Sequence, residues 1–306
     1  MRSSRFVGPI FLGLMTICAV LAGQPRILFA DRPIVTEQGL LKGISAPGER
    51  EYLGVPYAAS PVGRLRWMPP QPPAKFHGLF HATRFGDACS QPPDPTVPRI
   101  SENCLTLNVY VPDVDPPPRG FPVMVWIHGG GLVTGAGFLY DPTPIVQKGN
   151  VIVVTINYRL GLLGFFAHPA IDAEGHLNAN YGLMDQQFAL KWVRRNICAF
   201  GGDPRRVTIF GESAGGQSVY ANLASPTATG LFSRAISESG AGSQFQDYFD
   251  PVFTVPLKTA ETQGTPAVPP GTAIAAAVGC SKPRNAFVKP LLQPSLRLSL
   301  VISFPW

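Results

Sequence analysis

Four runs of apolar, β-forming residues, at positions 123–127, 151–156, 207–210 and 235–237, are separated by helical or loop segments in this 306-residue chain. A continuous run of this kind, apolar or β-branched at nearly every position rather than at alternate ones, marks a strand buried on both faces. Strands spaced by helical segments in this way pair in parallel beneath covering helices. The fold class that follows is α/β, with a mostly parallel central sheet and helices on both faces. Residues 185–200 supply one covering helix: Phe188, Trp192, Val193 and Ile197 recur at helical spacing, with Lys191, Arg194 and Arg195 largely opposite. Gly201, Gly202 and Pro204 stop it. Ahead of the sheet, residues 34–66 alternate apolar and polar around Gly39, Gly43, Gly48 and Gly54 and predict a small antiparallel β-meander. Residues 68–118 are proline-rich loops interrupted by a strand at 105–111. With 45% hydrophobic and 14% charged residues, the chain can bury a sizeable core in one large domain.

Two of the four runs end in glycine motifs, at the carboxyl ends of strands where α/β sheets collect functional groups. Val207 to Gly216 reads V-T-I-F-G-E-S-A-G-G. A strand that runs into G-x-S-x-G and then a helix places the serine on a sharp turn with its hydroxyl exposed, which makes Ser213 the candidate nucleophile. Pro122 to Gly131 reads P-V-M-V-W-I-H-G-G-G. Backbone N–H groups of such a loop, with that of the residue after the serine, can converge on the oxyanion of a tetrahedral intermediate. The loop is not a nucleotide cradle. Its glycines fail G-x-G-x-x-G at Thr134, and no G-x-x-x-x-G-K-[ST] occurs.

With these motifs in place, the chain resembles the type-B carboxylesterases, the cholinesterase-like branch of the α/β-hydrolases. The likeness rests on E-N-C-L-T-L-N-V from Glu102, the glycine loop from His128, N-Y-R-L-G from Asn157, N-Y-G-L-M-D-Q from Asn180, residues 200–204 and the elbow. It runs from Pro33 to Cys280. The resemblance implies an ester hydrolase working through an acyl-Ser213 intermediate on a small-molecule carboxylic ester. It assigns the oxyanion hole to the N–H groups of Gly130, Gly131 and Ala214, and supporting roles to Glu212 and His128. It also implies a disulfide between Cys89 and Cys104, which close a short proline-rich loop; Cys198, near the end of the amphipathic helix, is expected to be a buried free thiol. No cofactor is implied. His77, His81, His168 and His176 have no metal-ligand spacing, so no metal is expected.

The family's order after the serine is an acid and then a histidine. Here all five histidines precede Ser213, and the only acids after it are Glu238, Asp247, Asp250 and Glu261. None matches the family's acid, so one triad member of three is present and this chain is expected to be weakly active or inactive. The likeness ends at Cys280. Shifting the frame by one base through degenerate codons for residues 282–290 restores a second cysteine followed by Leu-Arg, as the family has. The expectation is a frameshift near Ser281, with a non-family tail at 282–306 and an unpaired Cys280. Two other readings remain: a non-catalytic, cholinesterase-like interaction protein, and a truncated product without function.

Residues 1–30 carry Arg2 and Arg5 ahead of an apolar run, with small residues at Ala19, Ala22 and Ala30. They read as a signal peptide cleaved near 22 or 30, which predicts a secreted or periplasmic protein; left uncleaved, the segment would be a membrane anchor. The family domain then occupies 31–281. The net charge of +6 lies at the ends, in Arg2, Arg5, Lys282, Arg284, Lys289 and Arg297. The body between is neutral, which gives nucleic acid no basic surface. Oligomeric state is not readable.

Overall fold

A computed structural model describes residues 32–175, 180–240 and 271–277. The expected leader, His176, Cys280, the acids at 247, 250 and 261 and the tail lie outside the described residues.

The central sheet has seven strands. They are β3 (Ile44–Ala46), β4 (Glu49–Pro56), β8 (Thr106–Pro112), β9 (Phe121–Ile127), β10 (Ile152–Ile156), β11 (Gly202–Glu212) and β12 (Arg234–Glu238). Their spatial order is β12-β11-β9-β10-β8-β4-β3. The four strands predicted from continuous apolar runs, β9 to β12, pair in parallel. The other pairings, β10 with β8, β8 with β4 and β4 with β3, are antiparallel. The described sheet is therefore mixed within the expected α/β class.

The expectation of burial on both faces is corrected for 235–237, since β12 stands at the end of the described strand order and is exposed or half-buried along its length, Ile236 included. Register explains why the first three runs are apolar or β-branched throughout. Val123, Val125 and Ile127 lie beside Ile152, Val154 and Ile156 on one side, and Val207 and Ile209 on the other. Their common face packs on Ala189, Leu190, Trp192 and Val193 of α4 (Tyr181–Asn196) and Val219 of α5 (Ala214–Ala224). The residues between them, Met124, Trp126, Val153 and Phe210, meet Val146 of α1 (Thr143–Gly149) on the opposite face. Period-2 geometry thus feeds two apolar layers from one strand.

Residues 34–66 do not form one meander. β1 (Ile34–Thr36) and β2 (Gly39–Lys42) pair antiparallel, and β2 then takes β5 (Leu79–His81) in parallel, making a separate small sheet. The β3–β4 hairpin instead joins the central sheet through β8. The break falls at Gly43, where a Cβ would sit 2.2 Å from Glu51 O, so the chain crosses itself too closely for any side chain.

α4 begins at Tyr181, one turn before the predicted 185, because packing decides its start. Gly182 lies so close to the Arg159 carbonyl that a Cβ would be 2.5 Å from it, and the Tyr181 ring faces the Arg159 guanidinium at 5.3 Å. A 3-10 turn, Ile197–Phe200, completes the predicted helical segment.

Cys89 and Cys104 are bridged, with Cα atoms 4.9 Å apart and both residues buried. The expectation for Cys198 is corrected. It is half-buried and disulfide-bonded, with its partner outside the described residues. A place near the end of an amphipathic helix predicts burial but says nothing of a partner cysteine distant in the sequence, and it is pairing that decides the state of this thiol.

Candidate active site

β11 runs into Ser213, and α5 starts at the next residue. Ser213 has φ 54° and ψ −123°, a backbone conformation that L-residues rarely hold. Close contacts on every side enforce it. The Ser213 N–H donates to Glu238 O at 2.9 Å, tying the turn to β12. A Cβ on Gly215 would lie 2.0 Å from Ile127 O, and one on Gly211 2.6 Å from the Gly215 backbone. The two glycines flanking Ser213 are thus where α5, β11 and β9 touch backbone to backbone.

The glycine loop leaves the carboxyl end of β9 and closes on the elbow. A Cβ on Gly129 would stand 2.7 Å from Glu212 O and 3.2 Å from Ser213 Cβ. Three successive residues then take positive φ: Gly130 at 99°, Gly131 at 62° and Leu132 at 59°. The turn is held by the N–H groups of Val133 and Thr134, both donating to Gly130 O at 3.0 Å. Gly130 and Gly131 are exposed, and Ala214 opens α5 beside Ser213. Among the described residues, the N–H groups of these three make no backbone hydrogen bond.

His128 is buried at the root of the loop. Its Nδ1 donates to Gly129 O at 2.8 Å, its ring stacks on Tyr158 at 4.4 Å, and the Tyr158 hydroxyl donates to His128 O at 2.7 Å. Burial pushes its pKa down to about 4, and among the described residues Nε2 has no hydrogen-bond partner. Neutral imidazole is the form such a site favours. Glu212 is half-buried next to Gly129, close enough for its carboxylate, after burial, to help push the Tyr140 phenol up. Among the described residues, no histidine ring is hydrogen-bonded to Ser213 Oγ. His77 and His81 lie on or beside β5, and His168 caps a short helix by accepting from Ala170 N–H. No group of three or more metal-ligating side chains occurs among the described residues.

The structure adds supports that the motifs did not announce. The Gln91 carboxamide, two residues past Cys89, accepts from Gly135 N–H at 2.8 Å and donates to Gly135 O at 2.9 Å. Buried Asn157 accepts from Gly137 N–H and donates to the carbonyls of Asp87 and Cys104. Arg159 and Asp185 form a buried, bidentate ion pair at 2.7 and 2.8 Å, with Arg159 N–H as a third donor at 3.0 Å. Asn157, Arg159 and Asp185 stood inside recognised motifs, but nothing in the chain named their partners.

A strained serine between strand and helix, faced by an exposed glycine turn, defines a site of the α/β-hydrolase type. The model of the carboxylesterase family matches residues 30–286, and the chain belongs to that family. It is 50% identical over 216 residues to the para-nitrobenzyl esterase of Bacillus subtilis, an alignment covering 68% of this chain and 43% of that protein. To the liver carboxylesterase of Sus scrofa it is 44% identical over 256 residues, covering 76% and 43%. A solved PNB esterase superposes with TM-score 0.65 at 49% identity, covering 69% of this chain and 44% of that one. The carboxylesterase of Geobacillus stearothermophilus does so with TM-score 0.65 at 37% identity, covering 86% and 54%. The chain thus spans less than half the length of both curated relatives.

Proposed function

We propose that this chain carries the nucleophile and oxyanion hole of a serine carboxylic-ester hydrolase. The observation that carries the reading is the strained Ser213, with the positive-φ glycine turn packed directly against it. Ser213 Oγ adds to the ester carbonyl, and its proton passes to a base. N–H groups of Gly130, Gly131 and Ala214 hold the oxyanion, and the intermediate collapses with loss of the alcohol. Water then releases the acid from acyl-Ser213 by the same route in reverse. Fixed donors aimed at a developing oxyanion contribute roughly 10² to 10³ in rate each.

General-base help contributes about 10² to 10⁴ more. A polypeptide of these 306 residues has no histidine after Ser213, and His128 turns its Nδ1 onto Gly129 O. Expressed alone, it should therefore hydrolyse esters far more slowly than a longer relative. Purified chain and Ser213→Ala, assayed with p-nitrophenyl acetate and a fluorophosphonate, test both points. Slow labelling confined to Ser213 supports the reading; labelling that survives the substitution refutes it. Enzyme-like turnover that is lost in Ser213→Ala would locate a base among these residues and overturn the inactivity.

The leader, read as residues 1–30, would export the protein, consistent with the buried Cys89–Cys104 bridge. N-terminal sequencing of exported protein should find a start near residue 23 or 31. An intact Met1 on a soluble exported product would exclude cleavage. Sequencing the coding DNA around Ser281 decides the frameshift.

A further inference from the structure

We propose that Gln91 is a positioning residue for the oxyanion hole, acting through Gly135 and never touching the substrate. The inference deepens the reading above and rests on it. Gln91 belongs to the loop closed by Cys89 and Cys104, 44 residues before Gly135 in the sequence. Its carboxamide engages both backbone groups of Gly135, at 2.8 and 2.9 Å, and its Nε2 also donates to Cys89 O at 3.0 Å. One planar amide thus ties the glycine loop to the fixed end of a disulfide.

Position explains the consequence. The loop spans Gly129 to Gly137 between two anchors: the His128–Tyr158 stack at its start and the Asn157 carboxamide on Gly137 at its end. Gly130 to Leu132 lie between these anchors in a turn tied by the bonds to Gly130 O from Val133 and Thr134 and pinned at its far end by Leu132, whose side chain is buried in the core and whose carbonyl accepts from Gly161 N–H at 2.7 Å. Gly135 itself has φ 113° and sits so tightly on the histidine that a Cβ would be 2.4 Å from His128 Nδ1. Fixing both polar groups of Gly135 therefore holds the returning arm of the turn against the His128 ring. Without Gln91 those two groups lose their partners, and the returning arm from Val133 to Gly135, whose Val133 and Thr134 N–H groups hold Gly130 O, is kept in place by Leu132 and Gly137 alone, so the exposed Gly130 and Gly131 N–H can shift against Ser213. Misplacement of a reacting geometry by about 1 Å is enough to lose roughly 10² in rate.

The test uses the full chain and Gln91→Met, which keeps the side-chain volume and removes both bonds, with Gln91→Ser as a second variant should the first not fold. Intact-mass kinetics with a fluorophosphonate, taken to saturation, separate the maximal rate of Ser213 modification from probe affinity. Amide exchange over residues 129–137 is read in parallel. The expected result is a maximal labelling rate lowered by about tenfold to a hundredfold, with probe affinity unchanged. Exchange should quicken at least about tenfold across 133–136 while β9 and β11 stay protected. Unchanged exchange in the loop overturns the proposal, as does a uniform rise in exchange across the domain, which would make Gln91 an ordinary stabiliser. Should the unsubstituted chain fail to label at Ser213, the nucleophile reading falls, and the exchange comparison still decides Gln91.

Discussion

Gly215→Ala probes how tightly the elbow is built. The added methyl would stand 2.0 Å from Ile127 O and 2.9 Å from His128 O, both backbone atoms. No rotamer change can relieve a contact with main chain, so α5 must back away from β9 by more than an ångström to reach ordinary contact. Inserting one methylene equivalent into a packed core costs about 1–3 kcal/mol, and more where the neighbour is rigid. Here the neighbour is the end of a central strand. The same displacement carries Ala214 N–H, the first residue of α5, away from Gly130 and Gly131. A misplacement of that size removes about 10² in rate. Urea unfolding followed by circular dichroism measures the first effect, and fluorophosphonate labelling of Ser213 the second. The expected pattern is a fall in the midpoint with unchanged slope, together with labelling at least about a hundredfold slower. If Gly215→Ala matches the unsubstituted chain in both, the close approach of α5 to β9 is not what sets the elbow.

Two further predictions concern buried charge. Asp185→Asn should destabilise the domain by about 3–5 kcal/mol in urea melts, because Arg159 would keep its charge in a buried site without its counter-ion; replacing both residues by apolar ones of similar volume should lose much less, and equal losses would refute the argument. His128 has a folded-state pKa of about 4 against an ordinary 6.5, so the unfolded chain binds the extra proton first and stability should fall as pH drops from about 6.5 toward 4. The loss is complete below that window, where it reaches on the order of 3 kcal/mol. His128→Gln should flatten the slope between pH 6.5 and 5, leaving what His168, whose pKa burial also lowers, contributes there; an unchanged slope would show that another group governs it.

Much of the fold was legible because its signals are local. A strand buried on both faces is apolar or β-branched along most of its length, so β9, β10 and β11 could be read from three runs, and the motif at Ser213 needs glycine wherever backbones touch. The disulfide between Cys89 and Cys104 was also legible, from the family likeness. The start of α4 was not, since Tyr181 and Gly182 join the helix through contact with Arg159, more than 20 residues away. The pairing of Cys198 was not legible either, since a position near the end of an amphipathic helix carries no signal of a partner cysteine distant in the sequence.

Residue types and spacing by themselves determined that a serine would sit on a sharp turn between strand and helix, beside a loop rich in glycine. Only the tertiary structure decided what holds that loop. Gln91 reaches Gly135, Asn157 reaches Gly137 and Arg159 reaches Asp185 across 44, 20 and 26 residues. The protonation state of His128 is likewise set by the surroundings that bury it. A local pattern records what one segment requires of its own backbone. A hydrogen bond between distant segments is specified by neither of them until folding brings donor and acceptor together and removes the water that would otherwise satisfy both.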